Sequence, residues 1–248
     1  MNFLVIGSGA REHIMAQKLS DAGVNVFSIL TNRNPGLIDL SEDYLFVKNY
    51  KMSIKFIIDF AISKEIGCVV VGPEDPLSLG FSDAFWKKGI PVVGPLQLLA
   101  QIETSKGFTR DLLNKNKILV SPKYQRFESI NGVEDFISLL SGEYVVKYDG
   151  LMGGKGVKVS GEHLASVKDG LYYCNELVAN GGSFIIEEKL IGEEFSLLSF
   201  CDGQNIEHMP AVQDHKRAYE NDSGPNTGGM GSYSNVDHSL PFLKEEDV

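Results

Sequence analysis

The chain has 248 residues, a net charge of −10 and a hydrophobic fraction of 43%. That is enough for one large domain or two modest ones, each with its own core, and too much apolar content for large-scale disorder. An acidic surface argues against nonspecific nucleic-acid binding, and no apolar run approaches membrane-spanning length, so the expectation is a cytoplasmic chain with no nucleic-acid and no membrane partner.

Met1 leads into "NFLVIG", a run too short for a signal-peptide core, which stops at Gly7 and reads as a strand. "REHIMAQKLSDAG" then has helical spacing at Ile14, Ala16, Gln17 and Leu19. "VNVFSIL", "CVVVGPEDPL" and "PVVG" read as further strands, separated by the amphipathic "SIKFIIDFAISKEIG" and by "FSDAFWKKGI", whose Trp86 is expected in the core. Apolar strands alternating with helices predict an α/β fold with a parallel sheet covered on both faces. The three cysteines, Cys68, Cys174 and Cys201, are scattered and read as reduced fillers.

From about Ser121 the pattern changes to α+β. "SPKYQRF", "EYVVKYDG", "GVKVS" and "SFIIEEKL" read as strands, and "INGVEDFISLL" and "EHLASVKDGLYYCNELVA" as helices. "EFSLLSFCDGQNIEHMPAV" reads as two strands around a "DG" turn, followed by the polar, glycine-rich "QDHKRAYENDSGPNTGGMGSYS". The expected divisions are residues 1–120, 121–191 and 192–248.

Two glycine-rich turns carry chemistry. "GSGARE" places Gly7 and Gly9 after the first strand, but Glu12 stands where a dinucleotide fingerprint has its third glycine. The turn suits a phosphate at a helix N-terminus, or is simply a tight turn. "VKYDGLMGGKGVKV" crowds Gly150, Gly153, Gly154 and Gly156 around Lys155, with Lys147 on the strand before them. It is not a P-loop, because Gly156 follows Lys155 and Asp149 replaces the first glycine. Its glycines still let backbone amides approach an anion, and flanking strands let it move as a flap. "FIIEEKLIGEE" ends a strand in Glu187 and Glu188, suited to an adenine edge and ribose hydroxyls or equally to a solvated acidic turn.

In their order and spacing, "VIGSGAREH", "GPEDPL", "SKGFTRDLL", "VVKYDGLMGGKGV", "IIEEKLIGEEFS", "QDHKR" and "SGPNTGGMGSYS" resemble the phosphoribosylamine–glycine ligase family of the ATP-grasp superfamily. The resemblance implies a Rossmann-like parallel-sheet domain, then a small ATP-grasp subdomain with the glycine flap, then the start of a large one. It also implies ATP-dependent ligation of glycine to 5-phosphoribosylamine. Lys106 and Lys147 would contact ATP phosphates, with Gly150 to Val157 closing over them. Glu187, Lys189 and Leu190 would frame the adenine, the last two through backbone groups and packing, Glu188 would belong to the same nucleotide site, and Glu194 would take the ribose. Gly7, Gly9, Arg11, Glu12 and His13, with Gly72, Pro73, Glu74, Pro76 and Leu77, would receive the phosphoribosyl part. Asp214, His215, Lys216 and Arg217, with Asn226, Thr227, Gly228 and Gly229, would form the wall where glycine is activated.

Family members continue well past the length of this chain, and the continuation is implied to hold the Mg2+ (or Mn2+) ligands. The expectation is therefore a fragment or one piece of a split protein, with little activity alone and a partner chain or continuation supplying the rest. Two other classes stand beside the ligase. One is a noncatalytic module that binds a nucleotide or phosphoribosyl group. The other is a nicotinamide-dependent oxidoreductase, which the missing third glycine and the lack of an acidic residue ending "VNVFSIL" count against.

Overall fold

The computed structural model describes residues 1–152, 156–221 and 223–244. The chain divides into two units, Met1–Leu119 and Val120–Val248. The first unit runs β1 (Asn2–Ile6), α1 (Ala10–Asp21), β2 (Asn25–Leu30), α2 (Pro35–Leu40), β3 (Ser41–Phe46) and α3 (Tyr50–Ser63). It continues through β4 (Ile66–Val71), α4 (Glu74–Ser78), α5 (Phe81–Trp86), β5 (Val92–Val93), α6 (Gln97–Thr104) and α7 (Lys106–Lys115). The strands form one sheet in the order β3-β2-β1-β4-β5, with every pairing parallel.

Side-chain alternation on these strands fills two core layers. Leu4, Ile6, Phe27 and Ile29 pack with Ile57 and Ala61 of α3 and Phe81 and Phe85 of α5. Val5, Val26 and Leu30 point the other way, toward Ala16 of α1 and Leu37 of α2. The expected parallel sheet with both faces covered is therefore present. Each such aliphatic or aromatic side chain taken fully out of water contributes about 1.5–3 kcal/mol. The chain order reverses between β1 and β4, so their carboxyl ends frame the crevice where open α/β sheets receive ligands.

The helix expected from this spacing is α1, which buries the face carrying Glu12 and Ala16 and leaves Ile14 exposed. One sequence expectation fails: Trp86 is not in the core, since it ends α5 and is 49% exposed, while Phe81 and Phe85 take the inward positions.

The second unit contains β6 (Tyr124–Phe127), α8 (Val133–Leu139), β7 (Tyr144–Tyr148), β8 (Val157–Val159), α9 (Val167–Ala179) and β9 (Phe184–Glu188). Its four-stranded sheet has the antiparallel order β6-β9-β7-β8. Phe127, Tyr144, Val146, Phe184 and Ile186 face α8 and α9, meeting Phe136, Ile137, Cys174 and Leu177. The other face presents Arg126, Val145, Lys147, Val157, Ile185 and Glu187, which lie opposite or diagonal to one another in the ladders. The helix expected from Glu162 starts at Val167, because Ser166 caps it: Ser166 Oγ accepts the Asp169 N–H and Asp169 Oδ2 accepts the Ser166 N–H.

Two antiparallel hairpins follow, β10 (Ser199–Cys201) with β11 (Ile206–His208) and β12 (Gln213–Tyr219) with β13 (Ser223–Tyr233). The first is the expected "DG" hairpin. Asp202 Oδ1 accepts the N–H groups of Gln204 and Asn205, and these bonds hold its carboxyl down at about 2. The second is the polar, glycine-rich stretch, which is a long ladder rather than a loop. Among the described residues, no helix is long and apolar enough to cross a membrane.

Candidate functional site

In the first unit the turns after β1 and β4 meet around Glu12. Gly7 has a φ of +135°, a conformation that L side chains rarely adopt, and its N–H donates to Ile29 O at 3.0 Å. The Glu12 side chain runs back from the first turn of α1, and its Oε2 accepts the Gly9 N–H at 2.6 Å. A methyl group on Gly7 would lie 2.4 Å from Glu12 Cγ, and one on Gly72 would lie 2.1 Å from Glu12 Oε1. These glycines are therefore needed to house an internal carboxylate. Arg11 stands outside it, 3.9 Å from Glu12 Oε1 and 3.8 Å from Glu74 Oε2. The His13 ring packs on Gly36, where a Cβ would meet Cε1 at 2.1 Å. Pro73 caps α4, which carries Glu74, the buried Pro76, and Leu77 packed on the core.

Sequence reasoning missed the other wall of this crevice. Ser8 Oγ accepts the N–H groups of Thr31 (2.8 Å) and Asn32 (3.2 Å), and the Asn34 side-chain amide donates to Ser8 O at 3.1 Å. Tyr50, at the start of α3, packs edge-on against Phe81. Burial pushes its hydroxyl up to about 12, the Glu12 and Asp75 charges push the same way, and a hydrogen bond with Thr31 opposes them. It is a neutral donor at ordinary pH. No signal in the sequence marked it, because the strand before it, β3, carries no apolar run. Lys106 is the first residue of α7, behind the N-cap Ser105, whose Oγ accepts the Phe108 N–H.

In the second unit the structure brings Lys147 and Glu187 together. They lie on one face of adjacent strands, with Lys147 Nζ 2.6 Å from Glu187 Oε2. Their side chains are 27% and 3% exposed, so this ion pair is mostly out of water, beside Val145 and Ile185. A buried pair of this kind is costly to break from one side. Glu188 faces the opposite side, where its Oε1 accepts the Lys123 N–H at 2.9 Å. Lys189 Nζ donates to Ser160 O, and Leu190 is exposed.

The hairpin expected to act as a flap is rooted on both strands. Tyr148 N–H donates to Gly156 O at 2.8 Å, Asp149 N–H to Ser183 O at 2.9 Å, and Arg126 pairs with Asp149 at 3.2 Å. Gly150 and Gly156 make room for Tyr148: a Cβ at either would come within 3 Å of its side chain. Val157 opposes Lys147 across β7 and β8. Gly153, Gly154 and Lys155 of the expected flap lie outside the described residues.

Three of the residues expected near the ribose and glycine are joined. Lys216 Nζ bonds Glu194 at 2.9 Å and lies 3.9 Å from Asp214, and the Glu194 hydrogen bond raises the lysine above its usual range. Arg217 is held elsewhere, by Glu162 at 2.8 Å and Gly224 O at 2.9 Å. His215 stacks on Tyr233. Thr227 Oγ1 donates to Lys216 O and accepts the Gly229 N–H, while Asn226 opposes Arg217. Gly229 has a φ of +126°, and a Cβ added at Gly228 or Gly229 would meet nothing within 4 Å, leaving that backbone open to close approach. The arrangement can hold anionic and polar groups against exposed backbone, and among the described residues no group of three or more His, Cys, Asp or Glu side chains could hold a metal.

Comparison with known proteins accounts for both units. The chain is 44% identical over 250 residues to phosphoribosylamine–glycine ligase of Methanosarcina barkeri, an alignment covering 100% of this chain and 57% of that protein. The same ligase of Methanococcus maripaludis is 48% identical over 254 residues, covering 99% and 57%. The chain thus spans 57% of the length of these relatives. The crystal structure of phosphoribosylamine–glycine ligase from Thermotoga maritima aligns with a TM-score of 0.76 at 25% identity, covering 94% of this chain and 55% of that one. N5-carboxyaminoimidazole synthetase from Staphylococcus aureus, complexed with ADP, shares the fold at 15% identity, with a TM-score of 0.66 over 88% of this chain and 55% of that one. Residues 1–103 match the model for the N domain of phosphoribosylglycinamide synthetase and residues 104–248 the model for its ATP-grasp (A) domain, so the chain belongs to the phosphoribosylglycinamide synthetase family.

Proposed function

We propose that this chain carries nucleotide- and phosphoribosyl-binding parts of an ATP-dependent C–N ligase of purine biosynthesis, acting in the cytoplasm. In the proposed reaction, ATP phosphorylates the carboxylate of glycine. The amine of 5-phosphoribosylamine then attacks the glycyl phosphate, giving glycinamide ribonucleotide, ADP and phosphate. The observation that carries this reading is the Lys147–Glu187 pair at 2.6 Å on a partly dry sheet face, next to the root of a glycine-rich hairpin. A lysine so placed neutralises phosphate, and a buried carboxylate beside apolar strand residues accepts hydrogen bonds from an amino-substituted base.

Each residue set has its own part in the proposal. Gly150 to Val157 close over the nucleotide and exclude water that would hydrolyse an acyl phosphate. Lys216 and Asp214, with the open backbone of Gly228 and Gly229, orient glycine. The turns around Gly7 to His13 and Gly72 to Leu77 take the phosphoribosyl group. No nucleophilic side chain is needed, since positioning and charge neutralisation do the work of phosphoryl transfer. Magnesium would supply charge neutralisation at the phosphates. Among the described residues no group of three or more His, Cys, Asp or Glu side chains could hold it.

The test is ADP release by the chain, assayed with glycine and 5-phosphoribosylamine each present or omitted. Release that requires both supports the ligase. Binding of ATP or of a phosphoribosyl compound without turnover supports the second reading, a noncatalytic binding module.

A further inference from the structure

In a strand, glycine turn and helix unit, a phosphate normally sits on the amide of the second glycine and the first turn of the helix. Here that seat is filled from within. The Gly9 N–H donates to Glu12 Oε2 at 2.6 Å, so the amide that would meet a phosphate already holds a carboxylate. Glu12 is 3% exposed. Its other oxygen, Oε1, points at the end of β4, where a Cβ on Gly72 would lie 2.1 Å away. Oε1 accepts no hydrogen bond from the described residues, and the Arg11 Nε at 3.9 Å is beyond hydrogen-bonding range. A buried acceptor left unpaired in this way is destabilising, more so when it is charged, unless a donor completes it.

We propose that Glu12 determines the specificity of this crevice: its carboxylate holds the phosphate seat of the β1 turn and turns the crevice toward hydrogen-bond donors. A phosphoribosyl ligand then lies with its hydroxyl and amine groups over the ends of β1 and β4 and its phosphate away from the start of α1. The pyrophosphate of a dinucleotide is refused by charge. The choice of ligand rests on the phosphoribosyl reading above, whereas the refusal of pyrophosphate does not. Tyr50, at the start of α3 and hydrogen-bonded with Thr31, supplies a further neutral hydrogen-bonding group.

Glu12→Gln is the discriminating variant. It keeps an oxygen for the Gly9 N–H and converts the Oε1 position from an acceptor to an amide donor at nearly unchanged volume. Affinities of the full chain for ribose 5-phosphate and for inorganic pyrophosphate are measured by following the backbone amide signals of Gly7, Gly9 and Gly72. In the unaltered chain ribose 5-phosphate moves these signals, whereas pyrophosphate and inorganic phosphate leave them in place. In E12Q the ratio of ribose 5-phosphate to pyrophosphate affinity falls at least tenfold. An unchanged ratio overturns the inference and leaves the phosphoribosyl reading standing. If ribose 5-phosphate moves none of these amides in the unaltered chain, both fall, while the nucleotide reading of the second unit is untouched. Should E12Q not fold, the unaltered chain decides alone: displacement of the Gly9 signal by inorganic phosphate overturns the inference, and its absence alongside a ribose 5-phosphate shift upholds it.

Discussion

Lys147 and Glu187 are bonded at 2.6 Å although neither is the other's ladder partner: Lys147 opposes Ile185 and Glu187 opposes Val145. The diagonal reach keeps both charges on the face turned away from α8 and α9. It joins the strand that leads into the glycine-rich hairpin to the strand that ends in the acidic segment.

Removing the lysine leaves the Glu187 charge buried. Breaking a buried pair from one side costs about 3–5 kcal/mol, and the partial exposure of Lys147 brings the expected loss for Lys147→Ala to about 2–3 kcal/mol. Urea denaturation of K147A, E187A and the double variant would show a favourable coupling between the two. Near-additivity would mean that the pair is not formed. ATP affinity of K147A falls at least tenfold if the lysine meets phosphate.

Tyr144 is buried with an unpartnered hydroxyl pressed toward α9, where a Cβ on Gly170 would lie 2.0 Å from it. Tyr144→Phe removes an unsatisfied polar atom and is expected to be neutral or to stabilise by up to about 1 kcal/mol. Gly170→Ala overpacks the same spot and costs about 1–3 kcal/mol. Adding Y144F recovers most of that loss, as thermal melts of the three variants would show.

Tyr50 gives an alkaline signature. Its folded value, about 12, lies above the ordinary 10.0, with burial as the main cause. A group with a raised folded value contributes stability that is fully present below the unfolded value and is lost as pH rises through the folded one. Stability is therefore expected to fall between about pH 10 and 12 more steeply than in Tyr50→Phe. Tyrosinate absorbance should lose one late-titrating group in that variant, while Tyr144 and Tyr173, which burial also raises, keep theirs.

Ser166 and Asp169 cap α9 reciprocally. Ser166→Ala is expected to cost about 1 kcal/mol, and Ser166→Asn much less, because Asn also caps well. Amide exchange in the first turn of α9 should quicken in S166A and not in S166N.

Much of the fold was legible in the chain. Buried parallel strands are continuous apolar runs, and "FLVIG", "VNVFSIL" and "CVVVG" are such runs. β3 was not seen, because an edge strand that alternates half-buried with exposed residues, as "SEDYLF" does, carries no such run. β12 and β13 were hidden more thoroughly. Their side chains are mostly exposed, so backbone pairing organises them and leaves no apolar period to read. Trp86 shows the converse error, since a large apolar residue at a helix end need not point inward.

For the site, the order of residues already set which side chains were on hand: a lysine before a glycine hairpin, an acidic strand end, and a glutamate where a third glycine would stand. Residue order and period settle that much because strand alternation and turn chemistry are local. It took the folded chain to show that Lys147 reaches Glu187, that Glu188 faces away, that Lys216 takes Glu194, and that Glu12 folds back under Gly7 and Gly72. Those outcomes depend on strand register and on which atoms are left without water. Both are set by contacts between residues far apart in the chain.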